Sequence, residues 1–180
     1  MLYDDFYIKS LIQTVEDWPK KGISFRDITP IFSDPKGLRM VVDAYIHRYI
    51  DKEISHIACI DARGFLIASV LAYELQKPLI LVRKKGKLPG ATISQKYALE
   101  YGEAELEIQE GAVKEGDQVL LFDDLIATGG TLCAAISLLQ SQGASIMEVS
   151  AIIDLPDLKG SQIISDLQIP VYSLCAFEGE

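Results

Sequence analysis

The sequence predicts an α/β fold, a Rossmann-like parallel sheet with flanking helices, and three observations carry that expectation. Short apolar runs recur from residue 56 to residue 175. Stretches of helical periodicity separate several of them. The alternation of strand, helix and strand is the rhythm of a parallel sheet covered on both faces. A length of 180 residues without repeats, low-complexity tracts or a Pro/Gly-rich linker predicts one domain over 1–180, with 1–33 as an N-terminal arm.

The elements follow in order. Between Tyr3 and Val15, apolar residues at Tyr7, Ile8, Leu11, Ile12 and Val15 have helical spacing, and the stretch from Pro19 to Gly22 breaks it. Asp34-Pro35 starts a second helix, because proline suits the first helical position, and Leu38, Val41, Val42, Tyr45, Ile46 and Tyr49 fall on one broad face. HIACI (56–60) is expected as a strand, about 65–76 as a helix, and PLILV (78–82) and QVLLF (118–122) as strands. Residues 131–142 are expected as a helix that Gly143 stops, followed by strands at MEVSAII (147–153) and VYSLC (171–175). The long segment 86–102, with its glycines, Pro89 and polar residues, is expected to be a mobile lid.

Composition excludes several functions. The chain is 49% hydrophobic and 24% charged with a net charge of -9, which suits a soluble globule and argues against a nucleic-acid-coating protein. The three cysteines are widely spaced and lack metal-ligand spacing, so reduced, buried thiols are expected. Asp4 and Asp5 stand where a signal peptide would carry positive charge. The uncharged run 125–147 contains too many glycine and glutamine residues for a membrane span. Together these features predict a cytoplasmic protein without a membrane or nucleic-acid partner.

In a parallel sheet, ligands bind beyond the carboxyl ends of the strands, which singles out three loops. In the segment after QVLLF, Ala127, Thr128, Gly129, Gly130 and Thr131 offer unhindered N–H groups and two hydroxyls at a helix start, suited to a terminal phosphate. Asp123 and Asp124 precede them. An unpaired buried carboxylate is costly, so both acids are expected to face a polar ligand, ribose hydroxyls or a phosphate-bound cation being natural partners, or solvent. RKKGK (83–87) holds four of the 17 basic residues within five positions. DARG (61–64) supplies Arg63. Each feature alone also fits a solvated turn; their coincidence in one sheet edge favours a sugar carrying phosphate at one end and a polyanion at the other.

The run VLLFDDLIATGGT resembles the phosphoribosyl pyrophosphate signature of type I phosphoribosyltransferases. GISFRDITPIFSDP (22–35), DARGF (61–65), RKKGKLPGATIS (83–94) and LEYGEAELEI (99–108) are similar, in order, to blocks of the adenine phosphoribosyltransferase family. The resemblance implies that fold with an N-terminal hood over the base and a lid, and formation of AMP and pyrophosphate from adenine and 5-phosphoribosyl 1-pyrophosphate. It implies Mg2+ carried on the donor, with no direct protein metal site, and a homodimer. It assigns the 5-phosphate to residues 127–131, the ribose diol to Asp123 and Asp124, and pyrophosphate to Arg63, Arg83, Lys84 and Lys87. Ser24, Phe25 and Arg26 fall on the adenine side, read through the backbone and by stacking. Glu100, with Tyr101, falls over the purine as a candidate for proton transfer. Arg63, Asp123, Asp124 and Glu100 are the catalytic candidates. The resemblance further implies a non-proline cis peptide at Asp61-Ala62. Lys85 and Lys21 stand where the family often has proline, and Ser24 where it is often aliphatic. A non-catalytic sensor of the same donor and a 6-oxopurine enzyme remain open at this point.

Overall fold

The computed structural model describes residues 4–99 and 102–178. Helix α1 (Asp5–Leu11) is capped by Asp4, whose side chain accepts from the Tyr7 N–H, and it buries Ile8. It ends earlier than the apolar spacing predicts. Residues Gln13–Val15 form strand β1 instead, antiparallel to β2 (Phe25–Asp27), with Val15 opposite Phe25. Val15 is 39% exposed, so its place in the helical spacing brings no burial, and β-branched Thr14 and Val15 suit extended backbone. After a short helix α2 (Thr29–Ser33), Asp34 caps α3 (Pro35–Tyr49) by accepting from the N–H groups of Lys36 and Gly37. The expected face of α3 is the buried one: Val41, Val42, Tyr45 and Tyr49 enter the core, and Leu38 and Ile46 pack at its margin.

The main sheet comprises β3 (His56–Ile60), β4 (Leu79–Lys84), β5 (Thr92–Leu99), β6 (Gly102–Gln109), β7 (Gln118–Ile126), β8 (Ser145–Asp154) and β9 (Val171–Ala176), in the order β5-β6-β4-β3-β7-β8-β9. β4, β3, β7, β8 and β9 are mutually parallel; β6 joins β4 antiparallel, and β5 joins β6 antiparallel. Helices α3 and α4 (Gly64–Glu74) cover one face, and α5 (Gly130–Gln140) with α6 (Gly160–Asp166) covers the other. The described part of the segment expected as a lid is therefore a hairpin arm. Its signal was present as period-two alternation: in EAELEIQ, Leu106 and Ile108 alternate with Glu105, Glu107 and Gln109, and both are buried. The uncharged run 125–147 divides among the end of β7, α5 and the start of β8. Among the described residues no helix is long and apolar enough to cross a membrane.

Candidate active site

β3 has β4 on one side and β7 on the other, so the chain's direction of progress reverses there, and the loops leaving β3 and β7 part to open a crevice. The loop after β3 begins with Asp61-Ala62, whose peptide is cis, as the resemblance implies. Gly64 then starts α4 hard against β7: a Cβ there would lie 2.8 Å from Cys59 Sγ and 3.3 Å from Asp123 Cα. Only glycine permits that approach. It brings Arg63 across to Asp124, which accepts from Arg63 Nε.

β7 runs on to Ile126, so Asp123 and Asp124 lie inside a strand rather than in the loop after it. Asp124 is buried and already paired with Arg63. Asp123 is half-buried, and its Oδ1 accepts from the Asp124 N–H at 2.8 Å. Burial first, and the neighbouring Asp124 second, push the Asp123 carboxyl well above the usual carboxylate range. Burial likewise raises the Cys59 thiol behind it. The expectation of two carboxylates facing ligand or solvent is thus modified: one is already partnered by the arginine expected to grip pyrophosphate.

At the end of β7 the chain turns into α5 through Gly129, whose φ of +80° favours glycine. Ala127, Thr128, Gly129, Gly130 and Thr131 line a hollow of about 90 Å3 together with Asp123 and Leu125. Neither α4 nor α5 has an acidic residue in its first turn. In α4 the Phe65 and Leu66 N–H groups donate to the Ala62 and Arg63 carbonyls, and both helix ends carry partial positive charge that favours an anion.

A larger cleft of about 450 Å3 adjoins this hollow and shares Asp123, Leu125 and Thr131 with it. Asp61, Arg63, Lys84 and Asp124 also line it, with Tyr97, Ala104 and Leu106 from the hairpin arm. Of the basic cluster, Lys84 lines the cleft. Arg83 turns to Asp61 Oδ2 (3.2 Å) and to the Lys87 carbonyl (3.0 Å), while the Lys87 N–H donates to Glu107 (2.8 Å). Lys85, at a position often proline in the family, donates its N–H to the Glu105 carbonyl at 2.9 Å, a bond proline could not make.

A third cavity of about 340 Å3 is lined by Val15, Trp18, Phe25, Asp27, Thr29 and Arg63. Trp18 meets Phe25 edge-on with ring centroids 4.3 Å apart, and the Arg63 guanidinium lies 5.1 Å from the Phe25 centroid. Ser24 directs its hydroxyl to Glu16 Oε2 (2.8 Å), and Arg26 directs its side chain to Thr14 Oγ1 and over the Phe177 ring. Only Phe25 of the three base-side candidates therefore presents its side chain to this cavity. Val15, Trp18, Asp27, Thr29, Tyr97, Ala104 and Leu106 escaped the sequence reading, since their roles depend on the β1–β2 and β5–β6 pairings. Glu100 and Tyr101 lie outside the described residues.

Two helix N-termini open at one sheet edge, with paired acids between them and an aromatic pocket alongside, define a phosphoribosyltransferase. The family model described as phosphoribosyl transferase domain matches residues 36–169. The chain is 85% identical over 180 residues, all of both chains, to adenine phosphoribosyltransferase of Marinomonas sp. (strain MWYL1). Its fold is similar to that of adenine phosphoribosyltransferase from Saccharomyces cerevisiae complexed with D-2,5-dideoxy-2,5-imino-altritol 1,6-bisphosphate and adenine. There the TM-score is 0.87 and the identity 34%, over 94% of this chain and 97% of that one. The enzyme from Trypanosoma brucei, solved with AMP, pyrophosphate and ribose-5-phosphate, matches with a TM-score of 0.88 and 30% identity over 96% of this chain and 79% of that one. The chain belongs to the adenine phosphoribosyltransferase family.

Proposed function

We propose that this enzyme forms AMP and pyrophosphate from adenine and 5-phosphoribosyl 1-pyrophosphate, with Mg2+ arriving on the donor. The observation that carries the proposal is the meeting of three cavities at Arg63 and Asp123: the phosphate-sized hollow at α5, the cleft at α4, and the aromatic pocket at Phe25. They match the phosphate, pyrophosphate and base of one reacting pair. The yeast relative's bound adenine and bisphosphate support the same reading.

In this arrangement the 5-phosphate accepts from the N–H groups of the α5 N-terminus, and pyrophosphate lies over the α4 N-terminus with Arg63 and Lys84. Asp123 and Asp124 face the ribose. Displacement at the anomeric carbon develops positive charge on the sugar, which the two carboxylates stabilise while the base is held in line by Phe25. The 450 Å3 cleft is lined by three carboxylates, Asp61, Asp123 and Asp124, and two cations, Arg63 and Lys84. That donor set suits an anion accompanied by its own cation. Asp123 and Asp124 are the residues that would approach Mg2+, which supplies charge neutralisation of the leaving pyrophosphate. Glu100 and Tyr101 are proposed to complete the purine side.

We further propose a cytoplasmic homodimer. The free cysteines suit a reducing compartment. Leu66 and Tyr73 on α4 and Leu81 on β4 are exposed apolar side chains of the kind a second subunit would cover. Sedimentation at micromolar concentration tests the dimer; a monomer contradicts it. The activity is tested by conversion of labelled adenine to AMP with and without a chelator. AMP that depends on both donor and Mg2+ is expected; no AMP, or AMP undiminished by the chelator, contradicts the corresponding part.

A further inference from the structure

We propose that Gly160, at the start of α6, is a positioning residue that holds the phosphate hollow in shape; the inference rests on the assignment of residues 127–131 to the donor's phosphate. Gly160 is buried, and its N–H donates to the Ala127 carbonyl at 3.0 Å. A Cβ at Gly160 would stand 2.2 Å from that carbonyl oxygen and 2.7 Å from Gly129 N. The contact is reciprocal, since a Cβ at Gly129 would stand 3.0 Å from Gly160 Cα. Two glycines on different loops thus meet backbone to backbone, and neither can carry a side chain without moving the other.

The consequence for the phosphate follows from peptide planarity. The Ala127 carbonyl and the Thr128 N–H belong to one trans unit and point in opposite directions. By holding the carbonyl, Gly160 turns the Thr128 N–H away from α6. A second bond, Leu155 N–H to the Ile126 carbonyl at 3.0 Å, ties the same two loops one residue earlier. Lys159, with φ of +61°, turns the chain so that Gly160 reaches Ala127. The loop after β8 therefore works as a template against which the loop after β7 is set before any ligand arrives.

The phosphate is held equally before and during the chemical step, so a distorted hollow weakens donor binding without slowing the bound complex. Gly160→Ala is expected to raise the KM for phosphoribosyl pyrophosphate by about ten- to a hundredfold, the range a displacement of about 1 Å produces, while kcat and the KM for adenine hold. A glycine needed only for folding predicts the reverse: fewer active molecules, hence lower apparent kcat with the donor KM unchanged, and that result overturns the proposal. If the variant does not fold, hydrogen exchange of the wild type with saturating ribose 5-phosphate decides. Slowed exchange is expected in peptides covering 127–131 and in those covering 158–162. Protection of 127–131 alone overturns the role of Gly160 and leaves the phosphate assignment standing. Absence of protection at 127–131 overturns that assignment, and the inference with it.

Discussion

Arg63 and Asp124 form an ion pair where the 450 Å3 cleft meets the aromatic pocket at Phe25, with Arg63 Nε 2.5 Å from Asp124 Oδ2. The Asp124 side chain is 9% exposed and that of Arg63 43%, so the pair is anchored on its acidic side and open on its basic side. The same guanidinium lies over Phe25. An anion entering the cleft competes with Asp124 for Arg63, and any movement of Arg63 is felt at the Phe25 ring.

From this geometry, Arg63→Ala is expected to raise the KM for both substrates, because Arg63 lines both the proposed donor cleft and the proposed base pocket. Steady-state kinetics with each substrate varied in turn measures it. An effect on the donor alone contradicts the junction role.

Asp124→Asn and Asp123→Asn are expected to lower turnover by about ten- to a thousandfold, or about 1.4 to 4 kcal/mol, since in the proposed site both carboxylates act on charge that develops at the sugar. Wild-type turnover in both variants would remove them from the catalytic set.

Asp123 also sets a dependence on pH. Its folded-state pKa is raised, so its contribution to stability is fully present below about pH 4, the ordinary carboxylate value, and is lost as pH rises through the raised value. Asp34, Glu105 and Glu107 are shifted downward and act in the opposite sense, losing their contribution as pH falls. Comparing wild type with Asp123→Asn isolates the one site. Without ligand, the variant is expected to gain on wild type in melting temperature as pH rises from about 4 to about 8. Parallel curves contradict the raised value.

Trp18 is the chain's single tryptophan and stands in the wall of the proposed base pocket. Saturating AMP is expected to change its fluorescence, and Trp18→Ala to raise the KM for adenine by about two- to tenfold through loss of the edge contact that orients Phe25. Emission indifferent to AMP would place the base elsewhere.

How much of this was legible in the sequence depends on the range of the interaction. β3 matches HIACI residue for residue, and the Asp34-Pro35 start of α3 was visible, because apolar runs and caps are local signals. The residues of the hollow at the start of α5 were legible for the same reason. What escaped depends on pairing between distant segments. β1 hides in the helical spacing of the first arm, and Arg63 reaches Asp124 only because Gly64 lets α4 approach β7. The basic run 83–87 reads as one anion patch, yet Arg83 is turned to Asp61 by the placement of β3 beside β4. The clasp of Gly129 and Gly160 joins loops about thirty residues apart, and neither glycine announces the other.

Adenine offers a donor at its C6 amino group and an acceptor at N1, and hypoxanthine reverses both. Ser24 gives its hydroxyl to Glu16; in the proposed site, main-chain groups at 24–26 read that edge. Each buried polar group without a partner costs about 1 to 3 kcal/mol, and two mismatches correspond to discrimination of roughly a hundred- to ten-thousandfold. The most direct measurement is the specificity constant of wild type and of Ser24→Val for adenine, hypoxanthine and guanine. Both proteins are expected to prefer adenine by that margin. Comparable use of hypoxanthine by wild type would contradict the adenine assignment, and selectivity lost in the valine variant would contradict reading through the backbone.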